Sequence, residues 1–196
     1  SISKKAFCVE KPISKEFLVE LVSESSTSRK GPVVIEVCLD AQGAPAVADS
    51  STKNHLAAKV FATTFPSGED IEELREKLLN CKRPVLLIGG GVSRKEFDQL
   101  LPEIEHWGLP VATTWNAADR IDSGHDLYIG RPNTWGQRSS NFLIQQADLV
   151  IAAGTRLGLH QTGFNWRDFV PHGEVVHIDI DQAELEKGHP KVSTTI

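Results

Sequence analysis

Three short stretches carry residue types that could bind or transform a ligand. Gly89-Gly90-Gly91-Val92-Ser93 follows the apolar run Pro84 to Ile88, and glycines at the end of a strand let a phosphate approach the backbone closely. The same glycines serve equally well as a tight turn between strand and helix. The full G-x-G-x-x-G fingerprint fails at its last position, which is Arg94. Gly154-Thr155-Arg156 follows the run Leu149 to Ala153 and offers backbone N–H groups, a hydroxyl and a guanidinium suited to a bidentate phosphate contact; a structural or solvated arginine is the competing reading. His177, Asp179 and Asp181 alternate at the end of a fourth apolar run, where period 2 would aim all three to one side and a carboxylate could accept from ribose hydroxyls. Asp-x-Asp with no third acidic ligand beside it reads as a strand-end cap before it reads as a metal site.

No complete catalytic constellation accompanies these stretches. P-loop and G-x-S-x-G patterns are absent, the seven histidines form neither H-x-x-H nor H-E-x-x-H, and the four tryptophans are dispersed. Cys8, Cys38 and Cys81 are odd in number and widely spaced, which disfavours a disulfide framework and a zinc site and fits a reducing cytoplasm. A net charge of −5 over 196 residues argues against nucleic acid or an anionic membrane as partner, and no apolar run approaches the length of a bilayer span. The chain has no Met and begins at Ser1, as expected of an excised or processed piece of a longer protein.

The elements that must position these residues are legible from periodicity. Ser14 precedes Phe17, Leu18, Leu21 and Val22, a capped amphipathic helix that ends in the polar run Ser23 to Lys30; Gly31-Pro32 then opens a strand from Val33 to Leu39. Residues 1–40 form one unit, and 41–68 read as an interdomain connector in which Leu56 to Phe61 can make a turn of helix. From 69 to 196 the pattern is regular. Ile71, Leu74 and Leu78 mark a helix, and Pro84 to Ile88 a buried strand. Ser93 and Glu96 form a capping box ahead of a helix bearing Phe97, Leu100, Leu101 and Ile104, which Pro102 should kink or split. Further strands fall at Leu109 to Thr114, Leu149 to Ala153, Glu174 to Ile180 and Val192 to Thr195, with a helix at Ser139 to Ala147. Short apolar strands alternating with helices predict an α/β fold with a doubly wound parallel sheet.

Read together, Gly31 to Asp40, Arg83 to Gly91, Ala147 to Arg156 and Val176 to Asp181 resemble, in order, segments of the thiamine diphosphate-dependent enzymes that include acetolactate synthase and related 2-keto acid decarboxylases and carboligases. The resemblance implies that 1–40 close a pyrimidine-binding domain and that 69–196 are the central Rossmann-like domain. In that family the central domain holds FAD in some members, ADP or another nucleotide in a few, and nothing in others. The matching positions are Gly89, Gly90, Gly91, Gly154, Thr155, Arg156, Asp179 and Asp181.

Some positions depart from the family pattern. Cys38 stands where the family usually has Pro. Trp115-Asn116-Ala117-Ala118 replaces a Gly-Lys-Gly turn, and Arg131 to Gly136 replaces a glycine- and methionine-rich loop, so an adenine nucleotide fits better than intact FAD. Leu157 to Gly163 points to a divergent branch. The resemblance further implies a parent enzyme that decarboxylates a 2-keto acid and transfers the acyl unit, as a dimer or tetramer with thiamine diphosphate and Mg2+. The activating glutamate would precede Ser1 and the metal motif would follow Ile196, so this chain holds neither coenzyme nor catalytic residues. A free-standing nucleotide-binding domain and a purely structural domain are the alternatives.

Overall fold

The computed structural model describes residues 3–26, 30–45 and 65–196. The chain divides into two compact units, Ser1–Thr63 and Thr64–Ile196. Most of the 41–68 connector, including Leu56 to Phe61, lies outside the described residues.

The first unit contains a βαβ element. Strands β1 (Lys5–Val9) and β2 (Val33–Val37) pair in parallel, with Cys8 opposite Glu36 and Val9 opposite Val37. Helix α1 (Lys15–Ser26) links them, and the Phe17 N–H donates to Ser14 Oγ at 3.2 Å, the cap its sequence predicts. Phe7 of β1 meets Phe17 of α1 edge to face at 5.6 Å, and Leu21 is buried. Strand β2 stops two residues earlier than expected. The Cys38 carbonyl accepts from the Gln42 N–H, so the chain turns into the five-residue helix α2 (Leu39–Gly43), and Leu39 is exposed.

The second unit is a six-stranded, wholly parallel sheet, as the alternation of strands and helices predicts. In chain order its elements are α3 (Gly68–Asn80), β3 (Pro84–Ile88), α4 (Arg94–Trp107), β4 (Val111–Thr113), β5 (Tyr128–Gly130), α5 (Arg138–Gln146), β6 (Leu149–Ala153), α6 (Leu159–Thr162), β7 (Glu174–Ile178), α7 (Gln182–Leu185) and β8 (Thr194–Thr195). The strand order is β5-β4-β3-β6-β7-β8. From β3 the sheet grows outward through β4 to one edge and through β6 to the other, so the direction of winding reverses between β3 and β6.

Period 2 sorts the buried side chains into two cores. Val85, Leu87, Val150, Ala152 and Val175 face one side with Ile144 of α5. Leu86, Ile88, Leu149, Ile151 and Val176 face the other with Phe97 and Ile104 of α4. A sheet apolar on both faces must be covered on both faces, which is why its strands read as continuous apolar runs.

Two local expectations are corrected. Pro102 neither kinks nor splits α4, which runs unbroken from Arg94 to Trp107. Pro102 lies on the exposed side, where the Asp98 carbonyl that loses its helical partner is open to water, while Phe97 and Ile104 anchor the buried side. Strand β5 went unrecognised because it has three residues and its register with β4 shifts between Val111 and Ala112. Helix α4 ends at Gly108, whose φ of 61° is the left-handed conformation a glycine adopts without strain, and its N–H returns to Glu105. Among the described residues no helix is long and apolar enough to cross a membrane.

Phe97 is fully buried between α4 and the sheet. Phe97→Ala should cost the second unit about 3–5 kcal/mol, read as a lower denaturant midpoint at unchanged slope.

Candidate functional site: the edge between β3 and β6

The glycine turn after β3 and the turn after β6 are in direct backbone contact. Gly89 donates to the Ala153 carbonyl and Gly91 to the Gly154 carbonyl, both at 2.8 Å, while Gly154 donates to Ile178 at 2.9 Å. Three strand ends, β3, β6 and β7, are thereby tied together. A Cβ on Gly89 would lie 2.1 Å from the Gly154 oxygen, and one on Gly91 2.9 Å from Gly154 Cα. Gly154 itself has φ of 59° and leaves only 2.7 Å to the Val92 nitrogen. Two of the three glycines therefore use their N–H groups on the neighbouring turn. Gly90, exposed like Gly91, has its own N–H outside these bonds and packs over the Asn116 side chain.

The N-terminus of α4 is also engaged. Ser93 accepts from the Glu96 N–H and the Glu96 carboxylate accepts from the Ser93 N–H, the predicted capping box, so a carboxylate already sits at the positive end of the helix. Arg120, which the sequence did not single out, is mostly buried and donates through Nε to the Val92 carbonyl at 2.7 Å, bracing the same turn.

Arg156 emerges from this edge with 73% of its side chain exposed. Its Nε donates to Glu184 Oε1 at 2.8 Å. Glu184 is buried, and its other oxygen accepts from Lys187 Nζ at 3.1 Å; Lys187 also donates to the Arg156 carbonyl. One carboxylate thus ties two cations and the loop between them. Glu184 stands three residues after Asp181, a spacing that a search for acidic residues beside the Asp-x-Asp pair could have found.

The alternating reading of His177, Asp179 and Asp181 does not survive the structure. Strand β7 ends at Ile178, so only His177 obeys its period. His177 is buried, and its Nε2 lies 2.7 Å from the Thr155 carbonyl; a carbonyl only accepts, so Nε2 carries the proton. Nδ1 is buried without a partner. Asp179 accepts from the Asp181 N–H, and Asp181 caps α7 through the Ala183 N–H at 3.1 Å. Both carboxylates therefore do the work of strand-end and helix caps. Thr155 is buried, and its Oγ1 lies 3.5 Å from the Leu157 nitrogen.

Beyond β4 and β5 the edge opens into a cleft of about 300 Å3 lined by Trp115, Arg131, Trp135, Gly136 and Gln137. Trp115 and Trp135 are largely exposed, and Trp135 stacks on His160 at 5.2 Å. The loop 131–137 folds on itself around Gly136, where a Cβ would lie 2.2 Å from the Arg131 oxygen. Among the described residues no group of three or more His, Cys, Asp or Glu side chains is arranged to hold a metal ion.

Two outcomes follow from this geometry. Gly89→Ala and Gly154→Ala should each destabilise the second unit by about 1–3 kcal/mol, whereas Gly158→Ala, with open space around its Cβ, should change the denaturation midpoint by no more than about 0.5 kcal/mol. Burial holds the His177 imidazole below its ordinary value, and the bond to the Thr155 carbonyl opposes this only in part. As pH falls the unfolded chain binds that proton first, so stability is full above about pH 6.5 and declines below it. His177→Gln should flatten this part of the decline, measured as urea midpoints from about pH 7.5 to about pH 5.5.

Comparison with known proteins places this edge in a family. The chain is 30% identical over 190 residues to the acetolactate synthase isozyme 2 large subunit of Escherichia coli, covering 94% of this chain and 33% of that protein. It is 32% identical over 188 residues to the acetolactate synthase large subunit of Corynebacterium glutamicum, covering 95% of this chain and 30% of that protein. The chain thus spans about a third of the length of the curated relatives it matches. The family model for the thiamine pyrophosphate enzyme central domain matches residues 71–195, nearly all of the second unit. With the glycine turn, the Gly154 turn and the capping aspartates all inside that match, the chain belongs to the thiamine pyrophosphate enzymes, and its six-stranded sheet is their central domain.

Proposed function

We propose that this chain is the central part of an acetolactate synthase-like enzyme that decarboxylates a 2-keto acid and passes the acyl unit to a second carbonyl. The observation that carries the reading is the tied β3–β6–β7 edge within a segment similar to acetolactate synthase large subunits over most of its length. The chemistry that thiamine diphosphate supplies when bound is stabilisation of the carbanion left by loss of CO2. Among the described residues no group of three or more His, Cys, Asp or Glu side chains is arranged to hold Mg2+ for that coenzyme. We assign both to other parts of the parent, which we read as an oligomer. The whole translated product should release CO2 from a 2-keto acid only with thiamine diphosphate and Mg2+ supplied; binding of both without turnover of any 2-keto acid would overturn the assignment.

What this chain would contribute is a nucleotide crevice. Arg156 presents a guanidinium whose Nε is already held by Glu184, leaving its outer face for a diphosphate, and Gly90 is exposed on the facing turn. Asp179 and Asp181 stand at the adjacent strand end, where a ribose would lie. ADP suits this set better than FAD, since Trp115 and Trp135 occupy the edge where a flavin would need glycine-rich turns. A second reading, a purely structural crevice, is favoured by one observation: the N–H groups of Gly89 and Gly91 are already engaged.

Calorimetric titration separates the two. Under the first, ADP or FAD binds, and Arg156→Ala weakens it by roughly 1.5–3 kcal/mol, about tenfold to a hundredfold in Kd. Measurable binding with an unchanged Kd in the variant removes Arg156 from the phosphate role. The absence of any binding supports the structural crevice.

A further inference from the structure

The first unit contains a pairing that the spacing of its cysteines conceals. Cys8 lies on β1 opposite Glu36, so period 2 along β2 brings Cys38 to the same face one step further on, and the two Sγ atoms are 3.7 Å apart. Cys8 is exposed and Cys38 half-buried. Cys38 stands just past the ladder, between the last paired residue of β2 and α2, and its N–H reaches back to the Val9 carbonyl at 2.9 Å. A disulfide requires the sulfurs to close by about 1.7 Å, to the usual ~2.05 Å. With the Cys38 N–H held by Val9 and its carbonyl accepting from the Gln42 N–H, the backbone stays in place and the closure is made by side-chain rotation at Cys8 and Cys38.

We propose that Cys8 and Cys38 form a reversible redox site, a dithiol oxidised to an intramolecular disulfide by low-molecular-weight disulfides. The exchange is balanced. One cysteine thiolate attacks a sulfur of the small disulfide, forming a mixed disulfide and expelling a small thiolate. The second cysteine thiolate attacks the protein sulfur of that mixed disulfide and expels the other small thiolate. The two protons lost by the cysteines are taken up by the two leaving thiolates, so two protein thiols are oxidised and one small disulfide is reduced. The Cys38 thiol next to it, helped by the Glu36 and Glu10 carboxylates, keeps the proton on Cys8 above the usual thiol range.

Cys81 provides the internal control. It belongs to the second unit, its thiol donates to the Leu78 carbonyl at 3.1 Å, and burial pushes its titration up.

The full chain, incubated with oxidised glutathione and read by intact mass and alkylation, should lose about 2 Da and two alkylatable thiols, independently of protein concentration, and recover both with dithiothreitol. Cys8→Ser should stall with one glutathione retained on Cys38. Cys81→Ser should leave the 2 Da product unchanged. Stable glutathione adducts on both Cys8 and Cys38 of the unaltered chain, concentration-dependent dimers in place of the 2 Da product, or a peptide map joining Cys81 to either partner would each overturn the assignment.

Discussion

The edge of the second unit formed by β3, β6 and β7 depends on one close contact, the meeting of two backbone turns with no side chain between them. Gly89 donates to the Ala153 carbonyl and Gly91 to the Gly154 carbonyl, and Gly154 passes the linkage on to Ile178 at the end of β7. The glycines are required for that approach whatever else they do. The consequences run outward. Because the two turns are locked, Thr155 is buried with its carbonyl facing His177, and Arg156 is the first side chain free to leave the surface. Leu157 follows with φ of 45°, a left-handed conformation that costs a branched residue about 1–2 kcal/mol, and its complete burial in the core is what holds it there.

Much of this second unit was legible because its physics is local. A parallel sheet covered on both faces needs strands apolar at every position, and Pro84 to Ile88 and Leu149 to Ala153 announce themselves that way. The capping box of Ser93 and Glu96 lies within four residues and was equally plain. Strand β5 was hidden because three residues carry no period, and Pro102 misled because its effect depends on which side of α4 faces water.

The site itself was legible only in part. The sequence marked the two turns and the arginine that the structure brings to one edge, but it could not show which partners they take. Arg156 meets Glu184 across 28 residues, and Arg120 meets Val92 across the same span. Contacts of that kind arise from sheet order, which no local pattern encodes. The Cys8–Cys38 proximity is of the same type, set by the register of β1 on β2.

The tether on Arg156 bears on selectivity. A long, exposed side chain ordinarily loses rotational freedom when it grips an anion, at about 0.5–1.5 kcal/mol for a side chain of this kind. Here the buried Glu184 carboxylate, fixed in turn by Lys187, has already restricted the guanidinium before any anion arrives. Since the carboxylate also cancels one of the two positive charges, the trio carries a net single charge rather than a strong cationic field. On the anion-binding role proposed for Arg156, an edge built this way would discriminate by the direction of its hydrogen bonds more than by charge attraction, so its occupancy would depend only weakly on ionic strength while rejecting anions of the wrong shape.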